Sequence, residues 1–390
     1  MSAYSASFRF SYSALFSVGF RPFFLGGSFF SVVLMLLWVL QLRGIALPNY
    51  YSNLSAILWH SHELIFGFTS AIISGFLLTA VRNWTGQNTL QGHSLALVFA
   101  VWVLGRILPF TALPNIVIAL VDLAFFPLLM IAIGKPIIKS AQLKNMGFVI
   151  FCGLFFLMNL LVHFDVLGIT QGMSHIGIYG ALNLVVLVML IIGGRVIPFF
   201  SEKALPNYKG KRITWIEQAV IPVAVILFLN DLWQPMAVWA NVLSGLLAAL
   251  LLLRVGAWFD RALLKKPLLW ILHLGYLFIA IGFFLRAFGT LSGISPYIYV
   301  HALTTGAIGL LTLGMMSRVA LGHTGRALIL PKPITIAFFL MTFAVLARVV
   351  LMAISPKPFL YDMAGSFWMI AFALYFVIYL PYLISPRVDA

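Results

Sequence analysis

Long continuous runs of apolar residues recur along the whole chain, and short polar connectors separate them. About 20 apolar residues suffice to cross a bilayer as an α-helix, whereas a β-barrel would show alternating rather than continuous hydrophobicity. The pattern therefore predicts an all-α polytopic membrane protein with about twelve transmembrane helices. The predicted spans are 22–42, 56–80, 94–111, 113–134, 146–166, 173–194, 213–230, 235–256, 268–288, 297–317, 333–354 and 363–384.

The connectors between these runs are too short to fold separately, so we expect a single integral membrane domain over residues 1–390. Composition agrees, because 63% of the residues are hydrophobic and only 8% are charged, against roughly a quarter charged in soluble domains. The first 20 residues lack a cleavable signal core, so the first span is expected to stay. Cys152 is the only cysteine, which excludes an intrachain disulfide and covalently attached c-type haem.

The basic residues are distributed unequally between the two ends of the predicted spans. Nineteen of the 24 Lys and Arg residues, from Arg9 to Arg387, fall on one side. Basic loops mark the cytoplasmic side of a membrane protein, so both termini are predicted to be cytoplasmic. The net charge of +15 is then a topological signal that also favours contact with anionic lipid. This distribution argues against a nucleic-acid partner.

An internal repeat is suggested by spans 2, 6 and 10, which each begin with histidine and end with arginine at the basic side. The histidines recur after 113 and 126 residues, a period of four spans. This spacing favours three four-helix repeats, at 1–134, 135–256 and 257–390, around a pseudo-threefold axis. Alternatively, the arginines only mark the cytoplasmic ends of spans. The pairs are His62 with Arg82, His175 with Arg195, and His301 with Arg318.

Histidines at the outer ends of spans are candidate metal ligands, because a neutral imidazole offers one lone pair and suits both copper and haem iron. We predict that His60, His62, His175 and His301 bind metal or haem. His60 and His62 point about 200° apart on a regular helix, so they would not bind the same ion. Glu63 is predicted to accept the N–H of a ligating histidine and thereby fix its tautomer.

Small residues follow two of these histidines at helical spacing. They would leave a slot in which a flat porphyrin could lie. Alternatively, they form close helix–helix contacts, which small residues commonly make in membranes. The residues are Gly67, Ala71 and Ser74 below His60, and Thr305 and Gly309 below His301.

The basic side carries a second candidate site. If the repeats surround a threefold axis, Arg82, Arg195 and Arg318 converge there, with His323 and Arg326 close in sequence to the last of them. Convergent guanidinium groups would bind an anion such as phosphate or a haem propionate through paired hydrogen bonds. One alternative is that these residues serve only as cytoplasmic anchors. Another is that His323, with His93 and His273, belongs to a second cofactor site near this side.

Several motifs resemble the NnrS family of bacterial membrane proteins. They are GFRPFFLGG from Gly19, WHSHELIFGF from Trp59, GFLLTAVRNWTG from Gly75, GGRVIPFF from Gly193, and HALTTGAIGLLTLGMMSRVALGHTGR from His301. The family motif usually has proline before Asn-Trp, where this chain has Arg82. The resemblance implies a multi-pass protein of the bacterial inner membrane.

The same resemblance implies non-covalent b-type haem and copper as cofactors and a role in tolerance of nitric oxide and nitrosative stress, with an electron donor as a further partner. It leaves open whether the protein is an oxidoreductase acting on nitric oxide. The plan of the spans is also similar to the catalytic subunit of haem–copper oxidases, although predicted span 7 has no histidine. Two alternatives remain: a proton-coupled secondary transporter, and a haem or copper sensor or assembly factor.

Overall fold

The computed structural model describes residues 10–45, 55–233 and 238–389. All regular secondary structure in these ranges is helical, and twelve helices are long and apolar enough to cross a membrane. The predicted all-α fold with twelve spans is thus confirmed. The helices are α1 (Phe20–Leu42), α2 (Ala56–Thr85), α3 (Gly92–Phe110), α4 (Asn115–Lys139), α5 (Leu143–Val166), α6 (Met173–Ala204), α7 (Thr214–Trp233), α8 (Val238–Trp258), α9 (Pro267–Phe288), α10 (Pro296–His323), α11 (Lys332–Ile354) and α12 (Phe359–Ile384).

Several helices continue beyond the apolar runs that predict them. Helix α6 ends at Ala204 instead of residue 194, and α2 ends at Thr85 instead of residue 80. Backbone hydrogen bonds carry a helix on after its side chains become polar, so hydropathy alone stops too early. Residues 235–237 of the eighth predicted span, and Arg9 among the basic residues, lie outside the described part.

The chain forms two compact units whose segments alternate along the sequence. Unit 1 comprises Met1–Ala181, Met316–Ile329 and Phe372–Ala390, as far as these ranges are described. Unit 2 comprises Leu182–Met315 and Leu330–Ala371. Helices α1 to α5 therefore belong to unit 1, whereas α7, α8 and α9 belong to unit 2.

Glycines bring helices close together within unit 1, as is common in membranes. A Cβ atom on Gly27 of α1 would lie 2.8 Å from Ile72 Cδ1 of α2, and one on Gly19 would lie 2.4 Å from Leu78 Cβ. The α1–α2 contact continues at the start of α1, where the Phe20 amide donates to Thr79 Oγ1 at 3.1 Å. These contacts fix how α2 presents its polar residues.

In unit 2, a buried arginine explains the glycine pair of the GGRVIPFF segment. A Cβ on Gly194 would lie 2.3 Å from the Arg254 Nη2 atom, and one on Gly193 would lie 2.8 Å from the Tyr276 ring. Arg254 donates to Tyr276 Oη at 2.6 Å and to both carboxylate oxygens of Glu217. The two glycines therefore make room for this ion pair inside the helical bundle.

Two of the three predicted repeats share an unusual backbone feature. A π-helical stretch begins directly after His62, at Glu63–Thr69, and another directly after His301, at Ala302–Ile308. Helix α6 is regular around His175. π-Helical turns are rare and frequently lie at functional sites. The likeness between α2 and α10 is limited to the backbone just after the two histidines, and the threefold repeat itself stays a prediction.

Replacing Gly177 should weaken the α5–α6 packing in unit 1. A Cβ atom there would lie 2.4 Å from the Met158 carbonyl oxygen, and backbone cannot move aside as a flexible side chain can. We expect Gly177→Ala to cost about 1–3 kcal/mol. Thermal unfolding followed by a thiol-reactive dye suits this test, because the only cysteine, Cys152, is buried on α5.

The matched control is Gly256→Ala, at a helical position where a Cβ would meet nothing within 4 Å. Alanine is favoured over glycine in a helix by about 0.5–1 kcal/mol, so this variant should be neutral or more stable. An equal loss of stability in the two variants would contradict the packing argument.

Candidate metal centre

Helices α2 to α5 of unit 1 enclose a group of buried polar side chains, which we call the polar cluster. All of its members are buried, although their helices are otherwise strongly apolar. Ionisable groups inside membrane spans are costly and usually functional. The members are His62 and Glu63 on α2, Arg106 on α3, Asp122 on α4, and Asn159 and His163 on α5.

His62 is held at both ring nitrogens by oxygen atoms. Its Nδ1 lies 3.0 Å from Glu63 Oε1, and its Nε2 lies 2.9 Å from Asn159 Oδ1. The amide of Asn159 donates in turn to Asp122 Oδ2 at 2.9 Å, which identifies Oδ1 as the acceptor towards His62. The imidazole is therefore oriented from both sides.

Asp122 is the central acceptor of the cluster. Its Oδ2 atom also lies 2.9 Å from His163 Nε2, while its Oδ1 accepts from Arg106 Nη2. Arg106 bridges the two carboxylates, because its Nη1 donates to Glu63 Oε2 at 2.7 Å. Hydrogen bonds thus connect all six side chains without a gap.

The π-helical stretch of α2 explains part of this arrangement. Such a stretch disturbs the regular i to i−4 pairing, and its carbonyl groups receive extra partners. Trp102 Nε1 donates to the Gly67 carbonyl at 3.0 Å, and Thr69 Oγ1 donates to the Leu64 carbonyl at 2.8 Å. Polar side chains thereby satisfy carbonyl groups next to the polar cluster, as buried backbone requires.

Two glycines allow the close approach of the charged groups. A Cβ on Gly67 would lie 3.1 Å from both Arg106 Nη1 and Glu63 Oε2, and one on Gly105 would lie 2.7 Å from Asp122 Oδ1. Larger residues at either position would push the ion pairs apart. The absence of a side chain at Gly67 and Gly105 therefore leaves the space that the two ion pairs occupy.

The charges of the polar cluster do not cancel when both carboxylates are ionised and the imidazoles are neutral. Glu63 and Asp122 then carry two negative charges, against one positive charge on Arg106. A buried charge without a counter-ion is strongly unfavourable. The cluster therefore favours one further positive charge, either a bound cation or a proton.

Three members also have the geometry of a metal site. One ligand atom each from His62, Asp122 and His163 lie within 4.8 Å of one another. The shortest pair is His163 Nε2 and Asp122 Oδ2 at 2.9 Å, and His62 Nε2 lies 3.7 Å from the same oxygen. Two imidazoles and a carboxylate suit copper, zinc, iron or nickel.

Of the four histidines predicted as ligands, the polar cluster contains only His62, together with the predicted partner Glu63. His60 stacks on Trp38, with ring centroids 4.2 Å apart. His175 is exposed and stacks on Tyr179. His301 belongs to unit 2, and its Nδ1 lies 2.6 Å from the Tyr297 carbonyl oxygen.

At Gly67 and Gly309, neighbouring side chains pack against the small-residue faces below His60 and His301. A Cβ on Gly67 would lie 2.6 Å from the Phe30 ring. One on Gly309 would lie 2.4 Å from Met341 Cε and 2.7 Å from the Trp368 ring. Neighbouring side chains fill both faces, as the alternative of close helix packing predicts.

Sequence reasoning did not select Arg106, Asp122, Asn159 or His163 as site residues. A signal was nevertheless present. Asp122 is the only acidic residue of α4, and Asn159 and His163 are four residues apart on α5, which places them on one helix face. Ionisable residues well inside apolar spans are functional candidates by default.

Unit 2 contains a comparable ion pair without a histidine. Arg286 donates to both carboxylate oxygens of Asp231, and Asn183 Nδ2 donates to Asp231 Oδ2 at 3.0 Å. The guanidinium also lies over the Tyr299 ring, 5.7 Å from its centroid. This cluster has an arginine, an aspartate and an asparagine in common with the polar cluster, so it provides matched controls.

The predicted anion-site residues are divided between the units. Arg82, Arg318, His323 and Arg326 belong to unit 1, whereas Arg195 belongs to unit 2. The convergence of Arg82, Arg195 and Arg318 at one site therefore stays a prediction.

Together, these features define a polytopic helical membrane protein with a buried cluster of histidine, carboxylate and arginine side chains between its first helices. The model of the family described as "NnrS protein" matches residues 14–387, so the chain belongs to the NnrS family and the predicted resemblance is confirmed. A search of curated proteins found no match.

Proposed function

We propose that this chain binds copper at His62, Asp122 and His163 and that the site serves bacterial tolerance of nitric oxide. The supporting observation is the approach of three buried ligand atoms to within 4.8 Å. They come from three helices that are otherwise apolar. Bound there, copper would supply a coordination position for a small ligand such as nitric oxide.

Glu63 and Arg106 would support the proposed ligands by orienting them and balancing their charge. Glu63 lies 3.0 Å from His62 Nδ1, so it orients the ring. Nε2, which is 2.9 Å from Asn159 Oδ1 and 3.7 Å from Asp122 Oδ2, would then be the ligand atom. Arg106 holds both carboxylates in place and balances part of their charge. The surrounding apolar helices exclude bulk water, while nitric oxide, which is small and apolar, can enter from the hydrocarbon.

Copper analysis of the purified protein and its variants tests the ligand set. His163→Ala should lower retained copper at least about tenfold, since even residues that only support a ligand cost 10–100-fold in metal affinity. His175→Ala, which changes an exposed histidine, should leave copper unchanged. Copper lost from His175→Ala but kept by His163→Ala would favour the ligands predicted from sequence. If both variants kept their copper, neither His163 nor His175 would be a copper ligand.

The family resemblance also implies haem. Its candidate ligands are His62 and His301, with His60 and His175 next for copper or a second axial position. The filled faces below His60 and His301 give no support to a porphyrin lying along them. Reduced-minus-oxidised spectra of protein expressed with ample haem test for it. We expect His301→Ala to lose the haem bands and His273→Ala to keep them, and a wild type without a Soret band would refute haem binding.

A proton-coupled carrier is the second candidate, favoured by one observation. Both nitrogens of His62 face oxygen acceptors, so a proton is an alternative to a metal as the missing positive charge. The chain of hydrogen bonds from Glu63 to His163 could then relay protons. Uptake by proteoliposomes that depends on a pH gradient, in protein free of copper, would support this function over the metal centre.

A sensor or assembly factor would bind the same metal but catalyse no reaction. Gene deletion separates these roles. Loss of nitric oxide consumption supports direct action on nitric oxide, whereas reduced metal loading of another enzyme supports delivery. We place the protein in the bacterial inner membrane with both termini in the cytoplasm, because basic residues concentrate at the ends of α2, α4 and α6. Labelling of single cysteines added to the connectors would test this orientation.

A further inference from the structure

Arg21, near the start of α1, is a buried cation without an acidic partner. Its side chain is 2% exposed. Its Nη1 donates to the carbonyl oxygens of Leu383 and Ser385, at 2.9 and 2.6 Å. Both acceptors are uncharged, and no carboxylate in the described ranges pairs with this guanidinium. Buried charges are normally paired, because their desolvation is costly.

The start of α1, where Arg21 lies, packs against the ends of two other helices of unit 1. The Phe20 ring, next to Arg21, lies 5.6 Å from the His323 ring. The Val388 amide donates to the Thr324 carbonyl at 3.2 Å, which joins the chain after α12 to the end of α10. Three chain segments therefore meet at one end of unit 1, which we call the basic end.

The charges at the basic end act on one another. Arg326 and Arg387 repel the charge of Arg21. Arg82 and Arg387 likewise repel the charge of a protonated His323.

Hydrogen bonds also bring these chain ends together. The Phe20 amide donates to Thr79 Oγ1 at 3.1 Å, less than one helical turn before Arg82, and Arg326 Nη1 donates to the Thr324 carbonyl that also accepts from Val388. The four arginines come from the start of α1 and the ends of α2, α10 and α12.

Little negative charge compensates them. Asp389 is exposed and pairs with Arg387 through two hydrogen bonds of 2.8 and 2.6 Å, which lower the pKa of Asp389. Arg326 lies over the Tyr382 ring, 4.1 Å from its centroid, and this contact leaves its charge in place. Within the described residues, the side chain of Arg82 makes no hydrogen bond or ion pair.

We infer that the basic end of unit 1 binds an anion of the phosphate class between Arg21, Arg82 and Arg326. Guanidinium groups bind phosphate oxygens through paired hydrogen bonds, and among the described residues no carboxylate pairs with any of these three arginines. The site lies at the ends of membrane-crossing helices, where a bilayer would place its headgroups. Its phosphate belongs either to an anionic phospholipid or to a free phosphate ion. This inference does not depend on the metal centre.

The test uses full-length protein, stripped of lipid in detergent. One arm adds phosphatidylglycerol or phosphatidylcholine and measures bound lipid by native mass spectrometry. The other adds inorganic phosphate without lipid and measures thermal stability. The variants are Arg82→Gln and Arg326→Gln, and Arg82→Gln removes no internal hydrogen bond. Lys139→Gln is the matched control, since Lys139 is exposed at the end of α4 and carries the same charge.

We expect Arg82→Gln and Arg326→Gln each to weaken retention of phosphatidylglycerol by more than the roughly fivefold that any single basic residue contributes at a lipid surface. Lys139→Gln should change it by no more than that. Stabilisation by inorganic phosphate that Arg82→Gln removes would support the same site with a free ion as its ligand. Equal weakening by all three variants would overturn the inference, because it would show only a general attraction of basic residues for anionic lipid. Retention that no variant changes would overturn it as well.

Discussion

An Asp122→Asn variant is expected to lose the copper of the proposed site while keeping its fold. Asp122 Oδ2 is the atom that both imidazoles approach, at 2.9 Å from His163 Nε2 and 3.7 Å from His62 Nε2. Asparagine keeps the shape but removes the negative charge that a cation requires. Because the change removes a ligand outright, copper affinity should fall by at least about 100-fold, beyond the range for supporting residues.

The control for this prediction is Asp231→Asn in unit 2. Asp231 is half-buried and likewise accepts from an arginine and an asparagine, so its substitution removes the same kind of ion pair without touching the polar cluster. Copper per chain is measured by mass spectrometry, and folding is measured by circular dichroism. Loss of copper only in Asp122→Asn supports the site. Equal loss in both variants would indicate general destabilisation, and copper retained in Asp122→Asn would remove this carboxylate from the ligand set.

An Arg106→Met variant should show the largest loss of stability. Arg106 donates to Glu63 Oε2 at 2.7 Å and also to Asp122 Oδ1, so its removal leaves two buried carboxylates without a cation. Breaking a buried ion pair from one side typically costs 3–5 kcal/mol, and we expect a loss of about that size. Unfolding with sodium dodecyl sulfate in mixed micelles, followed by circular dichroism, measures it.

Two further variants separate charge from packing. Arg106→Met combined with Glu63→Gln has one buried negative charge fewer, so more than half of the lost stability should return. Arg348→Met removes an arginine whose described contact is the Tyr361 ring, 4.7 Å from the guanidinium, and should cost less than Arg106→Met. If the double variant were no more stable than Arg106→Met, the charge argument for the polar cluster would be wrong.

The membrane architecture was predictable from the sequence because hydropathy is a local property. Each of the twelve predicted spans coincides with a helix, and the errors lie at helix ends, as for α6, which continues to Ala204. The opposite directions of His60 and His62 were also predictable. Helix periodicity alone places them on different sides, and they contact Trp38 and Asn159, respectively.

The sequence by itself thus determined the spans and which of their ends are basic, and it predicted His62 with Glu63 as site residues. Only the tertiary structure decided which side chains join them. Arg106, Asp122 and His163 are 43, 59 and 100 residues from Glu63 in the chain, and each lies on a different helix. Hydrophobic burial is nearly non-directional, so apolar runs specify that helices pack without specifying how each is rotated. Close contacts such as Gly105 against Asp122 set that rotation, and the rotation brings the charges together.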